Sequence, residues 1–149
     1  MTEPVWIETP TPEGLAAMHV GTAVEHLGIE FLGVGNDWLS ARMPVDRRTV
    51  QPYGIVHGGA SVVLAETLGS CGAVHCVDRS RFVCVGQEVN ANHLRPARAG
   101  WVTGVARPVH LGRRSQVWNI EIRDGSGRLT CISRLTMAVL PGPGFPSLT

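Results

Sequence analysis

The sequence predicts an α+β fold in which an antiparallel sheet wraps around one long central helix. Three observations carry this. One helical stretch of about twenty residues begins at His57; two strand-like runs precede it, and four longer ones follow with short turns between them. An antiparallel sheet of that extent has a face to cover, and the stretch from His57 to about Val77 is the helix long enough to cover it.

Taken in order, residues 1–11 read as an irregular arm rich in proline. A short helix is expected after Pro12, because proline suits a first helical position and Glu13 suits the first turn. Gly28–Gly35 and Trp38–Pro44 read as strands joined by a turn at Asn36-Asp37. Residues 45–56, with Pro52 and Gly54, read as a loop. In the long helix Ala60, Val63, Leu64, Thr67, Leu68, Cys71 and His75 recur at helical spacing and form the expected core stripe. Phe82–Leu94, Trp101–Val109, Ser115–Arg123 and Leu129–Leu140 are the remaining strands, with a strong turn at Asp124-Gly125-Ser126-Gly127. Pro141 is expected to end the last strand, leaving a Pro/Gly tail over 141–149. Neither an internal repeat nor a second domain is visible, so residues 1–149 read as a single domain.

Composition narrows the function. At 149 residues, 44% hydrophobic and 17% charged, the chain is large enough for a real core. A net charge of +1 gives no global field toward nucleic acid or an anionic membrane. No apolar run approaches the length of a membrane span. The N-terminus has the pattern of neither a signal nor a transit peptide. Cys71, Cys76, Cys84 and Cys131 show no C-x-x-C spacing, which suits reduced thiols and a cytoplasmic protein. All thirteen basic residues are arginine, and Arg95, Arg98, Arg107, Arg113 and Arg114 fall in one short stretch. Their planar forks could bind phosphate, or they could simply decorate a solvated strand edge.

Two features of the long helix point to chemistry. Glu66 lies roughly opposite the middle of the core stripe, with Ser70 one turn further on the same face. Ala65, Gly69, Gly72 and Ala73 form a strip of small residues beside them. Interior helical glycine costs about 0.5–1 kcal/mol relative to alanine, so the strip is expected to receive another backbone, namely the same helix of a second subunit. The second feature is the helix start, where His57-Gly58-Gly59 places unpaired, accessible N–H groups in the first turn. Such groups stabilise developing negative charge as an oxyanion hole does. Together with a carboxylate on the same kind of helix they make a constellation for acyl transfer.

Rival chemistries find less support. Gly69-Ser70-Cys71-Gly72 sits mid-helix, not at the strand-to-helix turn of a nucleophile elbow. No histidine pair has metal-ligand spacing, and no cysteine has the local signature of a nucleophile. Gly33-Val34-Gly35 lacks the third glycine and the helix of a dinucleotide site.

From Gln51 to Ser70, Q-P-Y-G-I-V-H-G-G-A-S-V-V-L-A-E-T-L-G-S resembles hotdog-fold thioesterases of the aroyl-CoA group. It is most similar there to 1,4-dihydroxy-2-naphthoyl-CoA hydrolases and proofreading thioesterases of siderophore synthesis. The resemblance extends through M-P-V-D-R-R-T (Met43–Thr49), N-A-N-H-L-R (Asn90–Arg95), H-L-G-R-R-S-Q-V-W (His110–Trp118) and G-R-L-T-C-I-S-R-L-T (Gly127–Thr136), covering most of Gly28–Leu140. It implies hydrolysis of an acyl- or aroyl-CoA thioester. Glu66 is then nucleophile or general base, the Gly58 amide polarises the carbonyl, Gln51 and His57 position it, and Ser70 orients water or the acyl group. Gly86, His93, Leu94, Arg95 and Pro96, and His110, Leu111, Gly112, Arg113, Arg114 and Ser115, match the segments that hold coenzyme A.

No cofactor or metal is expected, since coenzyme A is part of the substrate. The expected assembly is a homodimer needed to complete the active site and paired again as a dimer of dimers; the residues do not choose between dimer and tetramer. Pro96 and the second arginine, Arg114, depart from the pattern and leave the nucleotide contacts open. Cys71 falls beside the acyl pocket. Two other functions fit the same fold: an acyl-thioester hydratase or dehydratase using His57, and a non-catalytic acyl-CoA-binding module.

Overall fold

Among the described residues nine elements follow one another: α1 (Pro12–Met18), α2 (Ala23–His26), β1 (Glu30–Val34), β2 (Leu39–Pro44), α3 (Gly58–His75), β3 (Phe82–His93), β4 (Trp101–Leu111), β5 (Ser115–Arg123) and β6 (Leu129–Pro141). The structure is a computed structural model and describes residues 2–143. Six antiparallel strands form one sheet in the order β1-β2-β4-β5-β6-β3, so β1 and β3 are its edges. Helix α3 packs against β2, β3, β4, β5 and β6, giving the expected hotdog arrangement.

Local chemistry sets the element ends. Thr11 caps α1 by accepting the Gly14 N–H at 3.1 Å, with Pro12 at the first helical position. Helix α3 starts one residue later than expected because His57 is its cap, Nδ1 accepting the Gly59 N–H at 2.9 Å. It stops at His75, whose carbonyl accepts the Ile7 and Glu8 N–H groups at 2.8 and 3.3 Å. The N-terminal arm therefore does more than trail. Trp6 stacks on Trp118 at 6.2 Å between ring centroids, and its indole N–H donates to the Gly35 carbonyl. The one-turn helix α2, capped by Thr22, was not expected from the sequence. Gly142 follows β6, while the rest of the expected tail, 144–149, lies outside the described residues.

The core forms between α3 and the inner sheet face. Leu64 and Leu68 of α3 meet Leu39, Ala41 and Met43 of β2, Trp118, Ile120 and Ile122 of β5, and Leu135 and Met137 of β6, all essentially fully buried. Burying each large apolar side chain is worth about 1.5–3 kcal/mol relative to exposure. Val63 and Thr67, expected in the core stripe, are only half-buried.

The small-residue strip contradicts its expected role. A β-carbon on Gly69 would fall 2.5 Å from Leu135 Cδ2, and one on Gly72 would fall 2.5 Å from the Trp118 ring. Ala65 and Ala73 are fully buried in the same chain. The strip brings the helix close to its own sheet; it is filled by β5 and β6 and does not await a second helix.

Candidate active site

With the small strip buried, the partly open face of α3 carries Gly58, Val62, Val63, Glu66, Thr67, Ser70 and Val74. This face looks toward edge strand β3. Glu66 is half-buried there, its Oε1 2.5 Å from the position a β-carbon on Gly86 would take. At the helix start, a β-carbon on Gly58 would fall 2.8 Å from His93 Nε2. Two stations thus lie where α3 meets β3: Glu66 over Gly86, and Gly58 beside His93.

A β-bulge in β3 makes this arrangement. Gly86 pairs with Met137 and Glu88 with Thr136, leaving Gln87 unpaired, and beyond it Val89, Ala91 and His93 pair with Leu135, Ser133 and Cys131. Directly opposite residues share a sheet face, and Leu135 and Met137 face the core. Gly86 therefore faces the helix, and so does His93, seven residues later. Strict alternation would have turned His93 to the other side.

At the helix start His57 Nδ1 accepts the Gly59 N–H, so a neutral ring carries its proton on Nε2 and can donate there. Gly58 supplies the first N–H of α3, which has no intrahelical acceptor. Gln51 Oε1 accepts the Tyr53 N–H, stabilising the turn before the helix. Ser70 Oγ lies 3.7 Å from Met137 Sδ, so its hydroxyl is turned to β6 and not to the carboxylate. Burial pushes the Cys71 thiol up to about 12, and its Sγ lies 3.9 Å from His19 Nε2. It stays protonated at neutral pH and is no nucleophile.

Apart from Gly86, which lies against Glu66, the residues matched to coenzyme A binding separate into two groups. Leu94 and Arg95 hang from the Thr130 carbonyl, at the start of β6. The Gly112–Arg114 tip of the β4–β5 hairpin lies at its far end, with Arg114 O accepting the Val139 N–H. That is about 30 Å of extended strand between them. Near the first group Arg95, Pro96, Arg98, Asp124 and Arg128 line an open groove of about 450 Å³. Arg128 was missed by sequence reasoning because the Asp124–Gly127 turn alone brings it there. Arg107, one of the five clustered arginines, pairs with Asp37 at 2.8 Å. Arg113 and Arg114 are exposed at the hairpin tip, with His110 folded over Gly112. Leu111 is exposed and Ser115 begins β5, its carbonyl closing the hairpin by accepting the Gly112 N–H. Among the described residues no group of His, Cys, Asp and Glu could hold a metal, and no helix is long and apolar enough to cross a membrane.

Comparison with known proteins accords with this geometry. A family model described as thioesterase superfamily matches residues 53–131. The chain is 54% identical to 1,4-dihydroxy-2-naphthoyl-CoA hydrolase of Escherichia coli strain K12, over 91% of this chain and 99% of that one. It is 52% identical to the proofreading thioesterase EntH of Cronobacter turicensis, over 91% and 98%. The crystal structure of a mutant thioesterase from Pseudomonas aeruginosa matches with a TM-score of 0.91 and 52% identity, covering 93% of this chain and 99% of that one. With the family model spanning more than half of its length and such relatives matching nearly all of it, this chain belongs to the thioesterase superfamily as a hotdog-fold thioester hydrolase.

Proposed function

We propose that the substrate is an acyl- or aroyl-coenzyme A and that Glu66 is the catalytic carboxylate. The observation that carries this is the placement of Glu66 on the partly open face of α3, above Gly86, on the same helix whose start presents the Gly58 N–H. Net reaction adds water across the C–S bond: hydroxyl goes to the acyl carbon, and the proton goes to the leaving thiolate. Glu66 either attacks the carbonyl, giving an anhydride that water then opens, or takes a proton from the attacking water. In both routes negative charge grows on the carbonyl oxygen, where the Gly58 N–H and the His57 Nε2–H donate. Ser70 borders the acyl group, and Gln51 keeps the loop before the helix in place. No resident cofactor or metal takes part.

The same geometry favours a homodimer. Gly58 and Glu66 are about 12 Å apart along one helix, whereas a thioester carbonyl must lie within about 3–3.5 Å of both the polarising donor and the attacking atom. One chain separates the two stations. Strand β3 is a twelve-residue edge with no neighbouring strand on its outer side among the described residues, available to pair with its own copy. Antiparallel pairing about a two-fold axis near Val89–Asn90 would set Gly86 and Glu66 of one chain level with His93 and Gly58 of the other. It would likewise carry the hairpin tip of one chain toward the Arg95 groove of its partner, where both could hold one coenzyme A. A dimer of dimers would use a different surface. Four unpaired thiols suit a reducing cytoplasm.

Free-thiol release from benzoyl-CoA and from a saturated acyl-CoA tests this reading. Enzyme-dependent release of coenzyme A is the expected result. A hydratase or a non-catalytic binding module would release none.

A further inference from the structure

We infer that Gly86 is a positioning residue for the Glu66 carboxylate, a role separate from any contact with coenzyme A. The inference rests on the proposed role of Glu66. Glycine inside a strand weakens it, and so marks either a special backbone conformation or a close approach. A left-handed backbone does not account for it, because Gly86 is not among the glycines with positive φ, and the adjoining bulge leaves Gln87, not Gly86, without a partner. The close approach does. A β-carbon at this position would meet Glu66 Oε1 at 2.5 Å and Glu66 Cδ at 3.6 Å and, among the described residues beyond its two chain neighbours, no other residue within 4 Å. Gly86 faces the helix in the residue before the bulge, where Gln87 lacks a partner on β6. The bare backbone of residue 86 is thus the floor on which the carboxylate rests.

The clash that a side chain would create falls on the far end of a flexible side chain. Glu66 can therefore swing aside at small cost to the fold, but not without leaving its working position. A displacement of about 1 Å at a reacting group can cost on the order of 10²-fold in rate. Gly86→Ala is predicted to lower kcat for benzoyl-CoA hydrolysis by about that factor, with KM and the unfolding midpoint unchanged. In a Glu66→Gln background the same substitution should cause no further loss, because its effect passes through the carboxylate.

The four proteins (wild type, the two single variants and the double variant) are compared for kcat, KM and thermal unfolding, and a crystal structure of Gly86→Ala is determined. An unchanged kcat, a raised KM with kcat intact, or an equal further loss of kcat in the Glu66→Gln background would each overturn the inference; the raised KM would return Gly86 to coenzyme A binding. A wild type that releases no thiol from any ester would defeat the substrate reading instead. The crystal structure still decides the inference in that case: a displaced Glu66 carboxylate is expected, and one still resting on residue 86 would overturn it.

Discussion

Trp118 brings the outer end of its indole ring against α3 at Gly72, with its Cη2 only 2.5 Å from where a β-carbon on that glycine would sit. The ring is fixed in place: its N–H donates to Gln116 Oε1 at 3.0 Å, Gln116 in turn donates to the Ala73 carbonyl, and Trp6 stacks on it. Gly72→Ala therefore overpacks a site that cannot yield easily. It should cost about 1–3 kcal/mol, read from the urea midpoint. Oligomer mass by sedimentation should stay the same. A dissociated but stable variant would mean that the strip meets a second subunit after all.

That contact also shows where sequence reading stops. Gly69 and Gly72 announce a close approach, but nothing local says whether the visitor is another helix or the residues Trp118 and Leu135, far along the same chain. Strand ends set by local turns were legible: β5 spans Ser115–Arg123 as expected because a hairpin tip and the Asp124–Gly127 turn bound it. The placement of Glu66 on α3, with Gly58 at its start, was legible because helical spacing fixes it locally. The contacts of Gly86 with Glu66 and of His93 with Gly58 were not, since both depend on the register of β3 against β6 and on one unpaired residue, Gln87. Helix α2 is four residues long and leaves too little periodicity to detect.

Coenzyme A carries several phosphate charges, and Arg113 and Arg114 stand exposed at a hairpin tip. Replacing both with Ala should raise KM for benzoyl-CoA and flatten its dependence on salt, while kcat at saturation holds, as loss of uniform binding does. An unchanged KM would make these arginines a solvated strand end.

A composite active site makes a prediction about mixed dimers. Glu66→Gln and His57→Ala, each inactive alone, are co-refolded and the mixture is assayed. A mixed dimer holds one site with both a wild-type helix start and a wild-type carboxylate, so activity should reappear well above either parent. No recovery, with mixed dimers shown to be present, would place the whole site within one chain.

The most direct test of the account is the turnover of Glu66→Gln on benzoyl-CoA, because the amide keeps the shape of the side chain and removes its charge. Proton transfer by a positioned carboxylate is worth about 10²–10⁴-fold, and covalent attack is lost altogether with the amide. The account predicts a fall in kcat of at least about 10²-fold with substrate binding retained. A variant that keeps more than about a tenth of the wild-type kcat would contradict it, leaving Glu66 as only a half-buried residue of the helix face.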